Sequence, residues 1–289
     1  QRFYDPMKTL ASAFGAIQLA TAAWVRLQEI FSLENNLRTE SVGGDKTGKS
    51  KLRLELKNVS FSYDDKNLII ENANLSFEPG KTYALIGPTG GSKSTLANIM
   101  AHLYDPKQGS VYLNGKDMIT YSQEETSREI SVILQDPILF TGTVAENILY
   151  ANLDFSNMPI SDLNRILEHK GFRDVIKRFE NGLETQVKQN GAGLSIGQKQ
   201  LISFMRAILR EPKLLILDEA TANIDTVTES VLNKTLEALP QETTKIIIAH
   251  RLNTIKEADE IMFVNGRRVT PAGSYENAIS LITQAKRSS

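Results

Sequence analysis

The chain has 289 residues, enough for one large domain or one domain with an appendage. Its formal net charge is −1 and its pI is near 6.4, so a whole-chain basic footprint is absent and no nucleic-acid partner is expected. It contains no cysteine, which excludes disulfides and thiolate metal sites and suits a reducing compartment.

The first residue is Gln1 rather than Met, which suggests a fragment of a longer protein. Leu10, Phe14, Ile17, Trp24, Leu27 and Phe31 recur at three-, four- and seven-residue spacings, which predicts an amphipathic helix over residues 6–33. Such a helix packs on its own domain or is detached from a missing partner domain. The uncharged run 10–25 is diluted by Ser12, Gly15, Gln18 and Thr21, and reads as too short and too polar to span a bilayer, which needs ~20 mostly apolar residues. Residues 34–51 concentrate Gly, Ser, Thr and charge without apolar periodicity, which predicts a linker.

Leu52, Leu54 and Leu56 then alternate with polar residues as in a half-buried strand. Further strands are expected around 59–63, 68–77, 81–86, 110–113 and 130–134. The runs 213–217 and 245–249 are apolar on both faces, as in central strands of a parallel sheet covered by helices. Between about 142 and 212 the pattern turns helical.

Strand 81–86 leads into Gly87, Pro88, Thr89, Gly90, Gly91, Ser92, Lys93, Ser94 and Thr95, followed by a helix with Leu96, Ile99, Met100 and Leu103 on one side. Strand, glycine-rich turn, Lys-Ser and helix form the context of a phosphate-binding P-loop. Backbone N–H groups cradle phosphates there, the lysine reaches the terminal phosphates, and the Ser94 hydroxyl is placed to bind Mg²⁺. The motif expects glycine immediately before the lysine, and Ser92 stands there. If the loop requires positive φ at that point, a Cβ costs roughly 1–3 kcal/mol.

Asp218 ends an apolar strand and Glu219 follows it, at the sheet edge where ligands of open α/β folds gather. Asp218 is placed to hold Mg²⁺ through water and Glu219 to polarise an attacking water. His250, at the end of strand 245–249, is expected beside them. Ser195, Ile196, Gly197 and Gln198 fit a capping box at a helix start, with Gly197 at the second helical position. A positive helix start of this kind suits a phosphate oxygen.

Taken in order, these motifs resemble the nucleotide-binding domain of ABC transporters, in particular exporters that carry transmembrane and ATPase parts on one polypeptide. The resemblance covers residues 52–289. It implies an α/β fold: a P-loop NTPase (RecA-like) core with a mostly parallel sheet, an antiparallel β subdomain, and an α-helical subdomain at about 136–212. It casts Tyr63 as the aromatic that stacks on adenine, residues 87–95 as Walker A, and Gln135 as the Q-loop ligand of Mg²⁺ and water. Residues 194–198 become the signature motif, residues 214–219 Walker B, Asp225 the D-loop acid and His250 the switch histidine. The implied ligands are ATP and Mg²⁺.

The implied partners are a second nucleotide-binding domain, whose ATP the segment 195–198 would reach, and a membrane domain preceding residue 1. Residues 3–33 then resemble the cytoplasmic end of the last transmembrane helix, which places the domain at the cytoplasmic face of a plasma or inner membrane. Two departures stand out. Ile196 replaces the first glycine of Leu-Ser-Gly-Gly-Gln, an alteration compatible with a heterodimer or a tolerant homodimer. Gln189 occupies a position where exporters commonly carry an acid. A regulatory domain with little turnover is the alternative that Ser92 and Ile196 favour, and the intact Glu219–His250 pair opposes it. DNA-repair and chromosome ATPases share these motifs but separate them by a long coiled coil, which this chain lacks.

Overall fold

The computed structural model describes residues 4–32, 52–64, 66–155, 158–218, 226–237, 239–249 and 255–288. The chain divides into two compact units, Gln1–Arg38 and Thr39–Ser289. The expected linker 34–51 lies outside the described residues, as do Glu219, Asp225 and His250.

In the first unit, helix α1 runs from Tyr4 to Phe31. Leu10, Phe14, Trp24 and Phe31 are exposed along it. The helix is longer than the uncharged run at its centre. At 28 residues it is long and apolar enough to cross a membrane by length and composition, contrary to the expectation drawn from residues 10–25 alone.

The second unit contains two main sheets. Strands β1 (Leu54–Phe61), β2 (Ile70–Phe77), β4 (Gln108–Leu113) and β5 (Lys116–Asp117) form an antiparallel sheet in the order β2-β1-β4-β5. Residues 52–57 and 59–63 were expected as separate strands; the chain instead runs through as β1. Asn58 adopts φ 52° and the register against β2 slips between Leu56 and Val59. The break in alternation is a bulge, which leaves one residue unpaired without ending the strand.

The central sheet is built from β3 (Thr82–Ile86), β6 (Ile130–Ile133), β9 (Leu214–Asp218), β10 (Thr244–Ile248), β11 (Glu260–Asn265) and β12 (Arg268–Pro271). Their order is β12-β11-β3-β10-β9-β6, and all neighbours are parallel except β11 and β12. The apolar run of β9 follows from what covers it. Leu214 and Ile216 enter a core shared with Leu54, Phe77, Leu96 and Ile99, while Leu215 and Leu217 enter one shared with Val144, Leu163, Phe172 and Phe204. With side chains alternating across the sheet, each contributes about 1.5–3 kcal/mol on full burial.

Helix α2 (Lys93–Met100) follows β3, and α3 (Gln123–Glu129) precedes β6. Helices α4 (Val144–Leu149), α5 (Ile160–His169), α6 (Arg173–Ile176) and α7 (Ile196–Leu209) fill the segment whose pattern reads as helical. A two-strand ribbon, β7 (Gly142–Thr143) with β8 (Gln186–Val187), lies within that segment. Helix α8 (Thr226–Glu237) follows β9, and a last helix spans Tyr275–Ser288.

Candidate functional site

Because β3, β6, β9, β10 and β11 run parallel, their carboxyl ends share one edge of the sheet. What the chain places after each strand therefore converges there. Ile86 of β3 is followed by the loop at Gly87, Ile133 of β6 by Gln135, and β11 by a hairpin at Gly266; Asp218 is the last residue of β9. An open cleft of about 690 Å³ at this edge is lined by residues 88–95, Gln135 and Asp218. Its walls are completed by Leu68, Ile69, Asn265, Gly266 and Arg267.

The loop between β3 and α2 is shaped by close backbone approach. A Cβ on Gly87, at φ 150°, would collide with the Val264 carbonyl oxygen of β11. A Cβ on Gly91 would fall 2.8 Å from the Pro88 oxygen and 3.1 Å from the Val264 oxygen. Side chains are excluded there, and the Gly91 N–H donates to the Pro88 carbonyl at 3.0 Å, so the loop is a tight backbone turn with no Cβ on its β11 side. Lys93 is buried, and its ammonium donates to the carbonyl oxygens of Gly87 at 3.1 Å and Pro88 at 2.9 Å. Ser94 is exposed at the start of α2.

Ser92 has the strained backbone its position in the motif predicts. It is the N-cap of α2 at φ 72° and ψ 14°, in the left-handed region, and its hydroxyl makes no capping bond. Its Cβ thus carries the steric cost of that region, about 1–2 kcal/mol, without the gain a capping serine normally brings.

Tyr63 stands two residues beyond β1. Its ring packs edge-on against Phe61 at 5.0 Å and against Tyr104 at 5.2 Å, and its hydroxyl lies 3.3 Å from the Thr95 hydroxyl. The ring remains about half exposed, at 53%.

The capping box at the start of α7 is present. Gln198 N donates to Ser195 Oγ at 3.1 Å, and Ser195 N donates to Gln198 Oε1 at 2.9 Å. The side-chain amide of Gln198 also donates to the Arg178 carbonyl at 3.0 Å. Ile196 is exposed at 54%, and a Cβ on Gly197 would make only an ordinary contact with Ser195 Oγ at 3.9 Å. These residues do not line the cleft around Lys93. Gln189 is exposed at the start of the turn Gln189–Gly191.

Helix α7 is tied to the segment after Gln135. Arg206 donates from Nε to the Asn147 carbonyl at 2.7 Å and from Nη1 to the Ile138 carbonyl at 3.1 Å. Burial, and then the neighbouring Arg210, push its guanidinium down from the usual arginine range. It remains a cation, since arginine does not deprotonate in proteins. Phe140 stacks on Tyr150 at 4.1 Å, and Arg206 lies over the Tyr150 ring.

The structure thus gathers residues 88–95, Gln135 and Asp218 in one cleft, with Gly87 at the root of the loop and Tyr63 joined to its edge through Thr95. The hairpin residues Asn265, Gly266 and Arg267 were not anticipated. A partial signal was present: the apolar run 261–264 precedes Asn265-Gly266, a dipeptide that marks a hairpin but would put the turn one residue before its place at Gly266-Arg267.

The ABC transporter family matches residues 70–222, more than half of the chain. The chain belongs to the ABC transporter family. This ABC transporter domain is 34% identical over 280 residues to the probable multidrug resistance ABC transporter ATP-binding/permease protein YheH of Bacillus subtilis, covering 97% of this chain and 41% of that protein. It is 35% identical over 271 residues to the ATP-dependent lipid A-core flippase of Pectobacterium atrosepticum, covering 93% of this chain and 46% of that one. A solved structure of a bacterial Atm1-family ABC exporter with ATP bound matches with TM-score 0.79 and 26% identity, over 94% of this chain and 48% of that one. The chain spans less than half the length of these relatives. Within the family it is an ATP-binding domain of the exporter type, with the P-loop NTPase fold.

Proposed function

We propose that this domain binds and hydrolyses ATP with Mg²⁺ to drive transport across a membrane. The observation that carries the reading is the convergence of the P-loop, Gln135 and Asp218 on one cleft. In this reading the loop N–H groups and Lys93 hold the phosphates, and Tyr63 stacks on the base. Ser94, Gln135 and Asp218 (through water) would hold Mg²⁺, which would supply charge neutralisation for phosphoryl transfer. Glu219 and His250, which follow β9 and β10 in sequence, polarise and position the attacking water, and Asp225 takes the part of the D-loop acid.

Ser195, Ile196, Gly197 and Gln198 serve that second domain's ATP. Their capped helix start stands apart from the local cleft and exposes Ile196, as a surface that completes a neighbour's site must. ATP binding closes two domains and hydrolysis opens them, moving a membrane domain to which helix α1 leads. The assembly lies at the cytoplasmic face of a plasma or inner membrane.

Steady-state phosphate release tests this, with Glu219→Gln and Lys93→Ala as controls. The expected result is turnover in the parent chain, rising more steeply than first order with protein concentration, and loss in both variants. Turnover no faster than in Glu219→Gln, with ATP still bound, would install the regulatory reading instead. The strained backbone of Ser92 is the observation that favours that second reading.

A further inference from the structure

The hairpin joining β11 to β12 carries an irregularity that neither strand requires. Asn265 pairs with Arg268, so the loop has two residues, Gly266 and Arg267. Both adopt positive φ, 55° and 73°, as the tight turn of a right-twisted hairpin demands. Glycine is the natural occupant of the second position, because a Cβ is crowded in left-handed backbone. Here an arginine stands there. Its carbonyl accepts from Glu71 N at 2.9 Å, which locks the turn against β2, and any residue could supply that bond. The backbone role therefore does not explain the side chain.

The location does. Arg267 lines the same cleft as Lys93 and Asp218, whereas Arg268, one residue on, does not. The hairpin is held over the P-loop by the close approach of Gly87 and Gly91 to Val264, so its position relative to the loop is fixed. Backbone strain retained at a site is characteristic of a functional constraint. We propose that Arg267 is a further nucleotide-binding residue, its guanidinium supplying a second cation to the phosphate chain alongside Lys93. This rests on the cleft being a nucleotide site. It makes affinity depend on a residue outside the P-loop, delivered by the hairpin that follows the neighbouring strand.

The test uses the 289-residue chain, with ATP affinity and thermal midpoint measured together for Arg267→Gly, Arg267→Lys and Lys93→Ala. Arg267→Gly removes both the charge and the strained Cβ. It should raise Tm by about 2–3 °C while weakening ATP binding about 3- to 10-fold at low ionic strength. The loss should shrink as salt screens the interaction. Arg267→Lys should keep the parent Tm and stay within about twofold in affinity. If Lys93→Ala loses ATP and Arg267→Gly binds it as well as the parent at low salt, the inference is wrong. A loss indifferent to salt would also overturn it, since the contact would not be ionic. If the parent itself binds no ATP, the nucleotide reading falls first and this one with it.

Discussion

The phenol oxygen of Tyr63 stands 3.3 Å from the hydroxyl of Thr95, so the segment following β1 is joined to the first turn of α2. The antiparallel sheet and α2 already share an apolar core, and this polar contact links them again at the cleft. The aromatic ring and the phosphate loop are thereby held in one geometry. Phe61 and Tyr104 brace the ring edge-on.

If Tyr63 stacks on the base as proposed, Tyr63→Ala removes a surface worth about 1–3 kcal/mol. Its ATP affinity should fall roughly tenfold to a hundredfold. Tyr63→Phe keeps the ring and loses only the hydroxyl link, so it should stay within about threefold. Calorimetric titration distinguishes these; equal losses in both variants would show that the hydroxyl, not the ring, matters.

Ser92→Gly relieves left-handed backbone at a residue whose hydroxyl caps nothing. Part of the relief is offset by the greater freedom of glycine in the unfolded chain. Urea unfolding should show a net gain of about 0.5–1 kcal/mol, with unchanged m-value, and ATP should bind more tightly. A destabilised variant would mean that the serine side chain makes a contribution its contacts do not reveal.

Ser195→Ala breaks the reciprocal box that closes the start of α7. The expected cost is about 1 kcal/mol in unfolding experiments without nucleotide. In ATPase assays the loss should be much larger, because the hydroxyl would also be missing from the partner's site. If activity falls only as far as stability predicts, Ser195 is a cap and nothing more.

Glu125 provides a pH-dependent case. Its carboxylate accepts from Ser122 N at 2.8 Å, and its own N–H donates to Ser122 Oγ at 3.2 Å. The bonds from Ser122, the backbone one foremost, hold the carboxyl below its ordinary range. A lowered folded-state value means the contribution is present above the ordinary carboxylate range and fades as pH falls through the lowered value. Glu125→Gln should therefore be less stable than the parent near neutral pH, with the gap closing on acidification. Urea midpoints from about pH 7 down to about pH 3 cover the window. A gap independent of pH would remove the titration from the account.

Much of the fold is legible where burial dictates a period. The runs 213–217 and 245–249 announce two-faced burial, and β9 and β10 sit inside the parallel sheet with Ile248 opposite Asp218. Asn58 is harder to read, because a bulge and a strand end look alike in alternation alone. Asn265-Gly266 marks a hairpin, but its meaning depends on β11 lying beside β3, a pairing between residues far apart in sequence. That is why Arg267 escapes notice in the linear chain while Lys93 does not. Lys93 is announced by its immediate neighbours, Arg267 only by tertiary structure. Tyr63 and Gln135 fall between: family resemblance picks them out, and only the fold explains their places.

The alternation along β9 also has a mechanical meaning. Leu214 and Ile216 face one packed layer, Leu215 and Leu217 face the other, and Asp218 follows at the tip. Close-packed interiors do not yield gradually, so a strand clamped on both sides resists sliding. Asp218 then behaves as a fixed datum, and work done at this edge must appear as displacement of whatever surrounds it.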